Sequence, residues 1–189
     1  MNRILQGLLL FTLFTLCSDK SLGQEIAASF QGKYKKPTIN QRLFGDGLSM
    51  VNTERDEYAS NLAAYAVKIV LEKKANQSSL DLARDLLGLG LHLSPRNKKC
   101  LVANAQLARS IFPERLAADY ESEVFARLLL ARGQLLEKNE LEINRTLARY
   151  FIDLAATIDP RNEDAIYESE LRRIDEGDLS WNLLTNGKE

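Results

Sequence analysis

The stretch LARDLLGLGLHLSPRNKKCL, residues 82–101, occurs a second time as LARYFIDLAATIDPRNEDAI, residues 147–166. At an offset of 65 positions, without a gap, Leu82, Ala83, Arg84, Leu89, Pro95, Arg96 and Asn97 fall on Leu147, Ala148, Arg149, Leu154, Pro160, Arg161 and Asn162. Upstream, Ala66, Leu71, Glu72 and Lys73 fall on Ala131, Leu136, Glu137 and Lys138. The duplicated unit is therefore longer than one helix, and repeats of this kind stack their helices to share a core.

Each copy reads as a buried helix, a sharp stop and the start of the next helix. Leu147, Phe151, Leu154, Ala155 and Ile158 recur at three and four residues, which sets them on one helical face. In the first copy Leu82, Leu86, Leu87, Leu89, Leu91 and Leu93 leave little polar face, the pattern of a helix covered on two sides. Gly88 and Gly90 each cost about 1 kcal/mol against alanine inside a helix, so a close neighbour is expected there. Pro95 and Pro160 follow Ser94 and Asp159, residue types that cap, and proline is tolerated at a first helical position.

Ala83, Leu87, Gly90 and Pro95 are spaced small, large, small, proline, and Ala148, Ile152, Ala155 and Pro160 repeat that spacing. The pattern resembles the second helix of a tetratricopeptide repeat. The resemblance covers about 58–175 and implies an all-α fold, an antiparallel helix-pair solenoid of about six helices that binds a protein or peptide on its concave side. The offset is short of two repeats of about 34 residues, so one helix pair between the copies is expected to be shortened or irregular.

Residues 1–16 carry one positive residue, Arg3, then an apolar run from Leu8 to Leu16 broken by Thr12 and Thr15. That run is shorter than the roughly 20 residues of a membrane span. With small residues at Ser21 and Gly23 it reads as a signal peptide over 1–23, cleaved to leave a chain starting at Gln24 in the periplasm or outside the cell. The alternative is a structural envelope lipoprotein anchored through Cys17, although Phe14-Thr15-Leu16 lacks the small residue wanted before a lipidated cysteine. After cleavage Cys100 is the single thiol, so no internal disulfide is possible and packing must supply stability.

Residues 24–53 form an irregular leader with Ile39, Leu43, Phe44, Leu48 and Val51 as apolar anchors, while Lys33, Lys35 and Lys36 read as a solvated tether. The helical repeat domain spans 54–176, in units of about 58–110 and 123–175. Thr53 is expected to cap its first helix, and 76–79 to form a turn. A third helix, 97–110, would turn Leu101, Val102, Ala105 and Ala108 inward. Residues 111–119 read as a junction, and a fourth helix over 121–138 uses Val124, Phe125, Leu128, Leu129, Leu135 and Leu136. Asn144 would cap the fifth helix. In the sixth, over 162–175, Ile166, Leu171 and Ile174 would face inward. The tail, 177–189, would plug the last helices with Trp181.

Little chemistry is present in the pattern. The single histidine, His92, aligns with Thr157, and Cys100 aligns with Ala165, so a thiol-dependent enzyme using Cys100 is the weakest reading and His92→Ala should be mild. One histidine and one mature cysteine make no zinc site of the usual type, and neither a calcium loop nor a phosphate loop occurs, so no cofactor is expected. Acidic and basic residues nearly cancel, 26 against 25, leaving no footprint for nucleic acid. What remains is an exported, non-enzymatic scaffold or adaptor for a protein or peptide segment. The resemblance sets its groove at Tyr65, Lys68 and Glu72 on one helix and Lys99, Gln106 and Arg109 on another, with Leu130, Gly133 and Glu137 in the second unit.

Overall fold

Helix forms wherever the repeat carries helical spacing. The structure, a computed structural model, describes residues 30–39, 43–45 and 47–186; the proposed signal segment and Cys17 lie outside them. Among the described residues there are seven helices and no strand: α1 (Asn52–Glu72), α2 (Gln77–Leu93), α3 (Lys98–Ala108), α4 (Ser122–Glu137), α5 (Glu142–Ile158), α6 (Glu163–Glu176) and the short α7 (Asn182–Thr185). The starts of α2 and α5, their ends, and the starts of α3 and α6 are each 65 positions apart. No described helix is long and apolar enough to cross a membrane.

The repeated residues have physical roles that recur. Asn97 and Asn162 are the N-caps of α3 and α6, accepting from the backbone N–H of Cys100 at 3.0 Å and Ala165 at 3.1 Å. Ser94 and Asp159 end α2 and α5 and do not begin the next helix, so Pro95 and Pro160 lie in the turns between. Ala83, Ala148, Leu89 and Leu154 are buried. Arg84 and Arg149 both reach C-terminal carbonyls, those of Thr185 and Gly177. Gly90 lies where an added Cβ would meet Cys100 Sγ at 2.7 Å, and Gly88 where one would meet Leu184 O at 3.2 Å, so the close neighbours are α3 and the C-terminal tail.

Three caps differ from expectation. Thr53 lies inside α1, whose N-cap is Val51. Asn76 caps α2, accepting from Ser79 N at 2.9 Å, so 76–79 is a helix start. Asn144 sits in the first turn of α5, buried, accepting from Ser49 N at 2.8 Å and donating to Gly47 O. The leader is thereby tied to the second half of the chain.

Within each half the helices pair as neighbours. The helix α2 packs on α1, with α3 against both; α5 packs on α4, with α6 against α5. One apolar core runs through both halves and includes Tyr34, Phe44, Leu48 and Met50 of the leader and Leu184 of the tail. Val51, expected as an anchor, is exposed. Where the halves meet, Lys68 contacts Ser122, Tyr58 contacts Leu128 and Glu54 contacts Arg132, pairs that run in opposite order along the chain. Thus α4 is antiparallel to α1. Tyr58 closes the seam by stacking on Phe151 of α5, ring centroids 4.9 Å apart, a contact of about 0.5–1.5 kcal/mol beyond its burial.

Apolar faces are where periodicity and structure part. The helix α3 buries Cys100, Ala103, Asn104 and Leu107, and leaves Leu101, Val102, Ala105 and Ala108 exposed. On α6 only Ala165 is fully buried, while Ile166, Leu171 and Ile174 face solvent. On α4, Val124, Leu128 and Leu135 are likewise exposed, and Phe125, Leu129 and Leu136 are buried.

Candidate functional site

Between the end of α3 and the start of α4 no helix forms, and 109–121 joins them as a strap without regular structure. Polar groups of α1 and α3 hold the strap and the first residue of α4 in place. Asn61 donates to Asp119 Oδ2 and accepts from Asp119 N, both at 3.0 Å. Lys99 Nζ donates to Ala117 O at 3.0 Å, and Lys68 Nζ to Ser122 Oγ at 2.8 Å. Below it lies a cleft of roughly 290 Å³, walled by Tyr65, Lys68, Arg115, Tyr120, Phe125 and Asn61 among others.

The expected groove residues do not share one surface. Tyr65 and Lys68 line the cleft. Lys99 lies in a separate shallow recess with Asp56, Glu57 and Asp119. Glu72 is exposed at the end of α1, near enough to Tyr65 to help burial raise that phenol above its ordinary pKa. Arg109 ends α3 in solvent, and Gln106 is half-buried with its carbonyl accepting from Arg109 N and Ile111 N. In the second unit Leu130 and Gly133 are buried, and an added Cβ at Gly133 would meet Ile152 Cγ1 at 2.7 Å, so that face belongs to the α4–α5 contact. Glu137 is taken by Arg172.

A second cleft, roughly 300 Å³, lies between α5, α6 and the tail. Its arginines are already engaged: Arg149 with Glu176, Arg172 with Glu137 and Glu168, Arg173 with Glu170. Asp153 accepts from Trp181 Nε1 at 3.2 Å, and burial holds its carboxyl above the usual range. Its charged walls are thus satisfied from within, which leaves the α1 cleft as the better candidate.

The Cys100 thiol is fully buried, donates to Ala59 O at 3.2 Å and is pushed up to about 12 by burial, so it is protonated at neutral pH. Among the described residues no group of three or more His, Cys, Asp or Glu is placed to hold a metal ion. His92 corrects the sequence reading. It is buried between two backbone groups, Nδ1 accepting from Leu43 N at 3.3 Å and Nε2 donating to Leu184 O at 3.1 Å. Burial lowers its pKa, which keeps the ring neutral.

Compared with protein-family models, curated proteins and solved structures, the chain matches none.

Reasoning from sequence also passes over Arg55. Its guanidinium is buried and donates to the carbonyls of Met50, Phe44 and Gly45. A charged residue three positions after a helix start carries no signal of that kind, because such residues are ordinarily solvated.

Proposed function

We propose that the chain is an exported, non-enzymatic scaffold or adaptor that takes an extended, acidic protein segment into the cleft between α1, the strap and α4. Its helix pairs are read as tetratricopeptide-like within each half, with the partner at the seam between halves. The observation that carries this reading is the cleft wall itself: Lys68 and Arg115 stand beside Tyr65, Tyr120 and Phe125. Two cations over aromatic walls suit a segment that alternates carboxylates with apolar side chains. The cations would set register and encounter rate more than affinity.

The test is fluorescence anisotropy with labelled extended peptides of acidic, neutral and basic composition. Acidic peptides are expected to bind, more tightly at low salt, and the double variant Lys68→Glu, Arg115→Glu to lose roughly tenfold in affinity. Equal binding by a variant with an unchanged circular dichroism spectrum, or acidic peptides binding no better than neutral ones, would remove the cleft from consideration. Export is tested by intact mass: a chain beginning at Gln24 supports it, and an added lipid on Cys17 replaces it with the anchored form.

A further inference from the structure

The helices α3 and α6 occupy the two flanks of the molecule, because the halves meet through α1, α4 and α5. Each is the third helix of its half, covered on one side only. On α3 the outward stripe is Leu101 (47% exposed) and Val102 (44%), continued by Ala105 and Ala108. On α6 it is Tyr167 (65%), Leu171 (39%) and Ile174 (73%). No described element covers either stripe.

Charge distinguishes the two. The α3 segment contributes Lys98, Lys99 and the C-cap Arg109, with no acidic residue. Along α6 there are six carboxylates against Arg172 and Arg173, and both arginines are paired with glutamates. The exposed Lys98 and Arg109 lie at the two ends of the α3 stripe and are 11 positions apart; the exposed Asp164 and Asp175 lie at the two ends of the α6 stripe, also 11 apart. At 1.5 Å per residue each pair spans about 16 Å. An apolar stripe bracketed by two cations therefore matches, in length and sign, an apolar stripe bracketed by two carboxylates.

We infer that α3 of one copy docks on α6 of a second copy of this chain. The contact joins two different surfaces, so it is heterologous and each added copy leaves one free flank of each kind. Burial of the two stripes drives the contact, and the bracketing charges select α3 against α6 over α6 against α6, where four carboxylates would face one another.

Sedimentation velocity on the full chain in its native N-terminal form, verified by intact mass, tests this. The weight-average mass should rise with concentration and fall back as salt screens the flanking charges. Val102→Asp blocks α3 and Ile174→Arg blocks α6; both sites are exposed, so circular dichroism should be unchanged. Each variant alone should stay a single chain, and their equimolar mixture should form a species of two chains and stop there. The inference is overturned if the native chain remains a single chain at every concentration and salt, as it would if the stripes were covered by its own N-terminal residues or by another protein. It is equally overturned if either variant alone still associates, or if the mixture does not.

Discussion

His92 stands where the second copy has Thr157, and the two residues show how a repeat hides its exceptions. Thr157 is exposed and its hydroxyl satisfies the carbonyl of Asp153 one turn back. His92 is in the interior and serves the backbone of two distant segments, which no local pattern announces. His92→Ala should leave Leu43 N–H and Leu184 C=O without partners at a cost of about 1–3 kcal/mol, read as a fall in urea midpoint; a change near zero would mean that water replaces the ring. Asp85 gives a pH signature. Burial, only partly offset by Arg84, pushes its carboxyl up to about 6 from 3.8. The folded state therefore holds this proton more tightly than the unfolded one, and stability from this site falls as pH rises from about 4 to about 6. Asp85→Asn removes that fall. The midpoint difference between variant and parent should widen over the same window and then stay constant, whereas a difference independent of pH would show that the carboxyl titrates normally.

At the scale of helices the duplication made most boundaries legible, since the same spacing had to satisfy two copies. Burial within α2 and α5 was legible too: Leu87 and Ile152 are both fully buried, and replacing either with alanine should cost about 2–5 kcal/mol, measured as a urea-midpoint shift at unchanged slope. The burial of α3, α4 and α6 was not legible. Each carries more than one set of apolar residues at helical spacing, and periodicity reports that a stripe exists without saying which stripe meets a neighbour. In α3 the covered side is Cys100, Ala103, Asn104 and Leu107, a set that includes an asparagine because Asn104 accepts from the Tyr34 hydroxyl at 2.9 Å. A residue of the leader thus decides the inner face of a helix some seventy positions later, and the helix alone carries no trace of it.

For the whole molecule, the reversal of α4 against α1 was the least legible feature, because the strap that permits it has no pattern of its own. The tail then matters more than a plug over the last helices would. Trp181 packs edge-on against Tyr150 of α5, centroids 4.9 Å apart, and Tyr150 donates to Ser180 O. A few residues later Leu184 O accepts from His92 of α2, while Thr185 O accepts from Arg84 of α2 and from Thr38 N of the leader. The tail therefore bridges the equivalent helices of both halves, and the repeated arginines, Arg84 and Arg149, are two of its anchors. Ending the chain after Gly177 should uncover Gly88, Tyr150 and the apolar ground beneath Leu184. It should lower the urea midpoint and speed amide hydrogen exchange in the second half of α2 as well as around Tyr150 in α5, because local protection follows the contacts that hold a segment closed. Faster exchange confined to α5 and α6, with α2 unchanged, would reduce the tail to a cover for the last helix pair and leave the leader and the seam of α1 with α4 and α5 to link the halves.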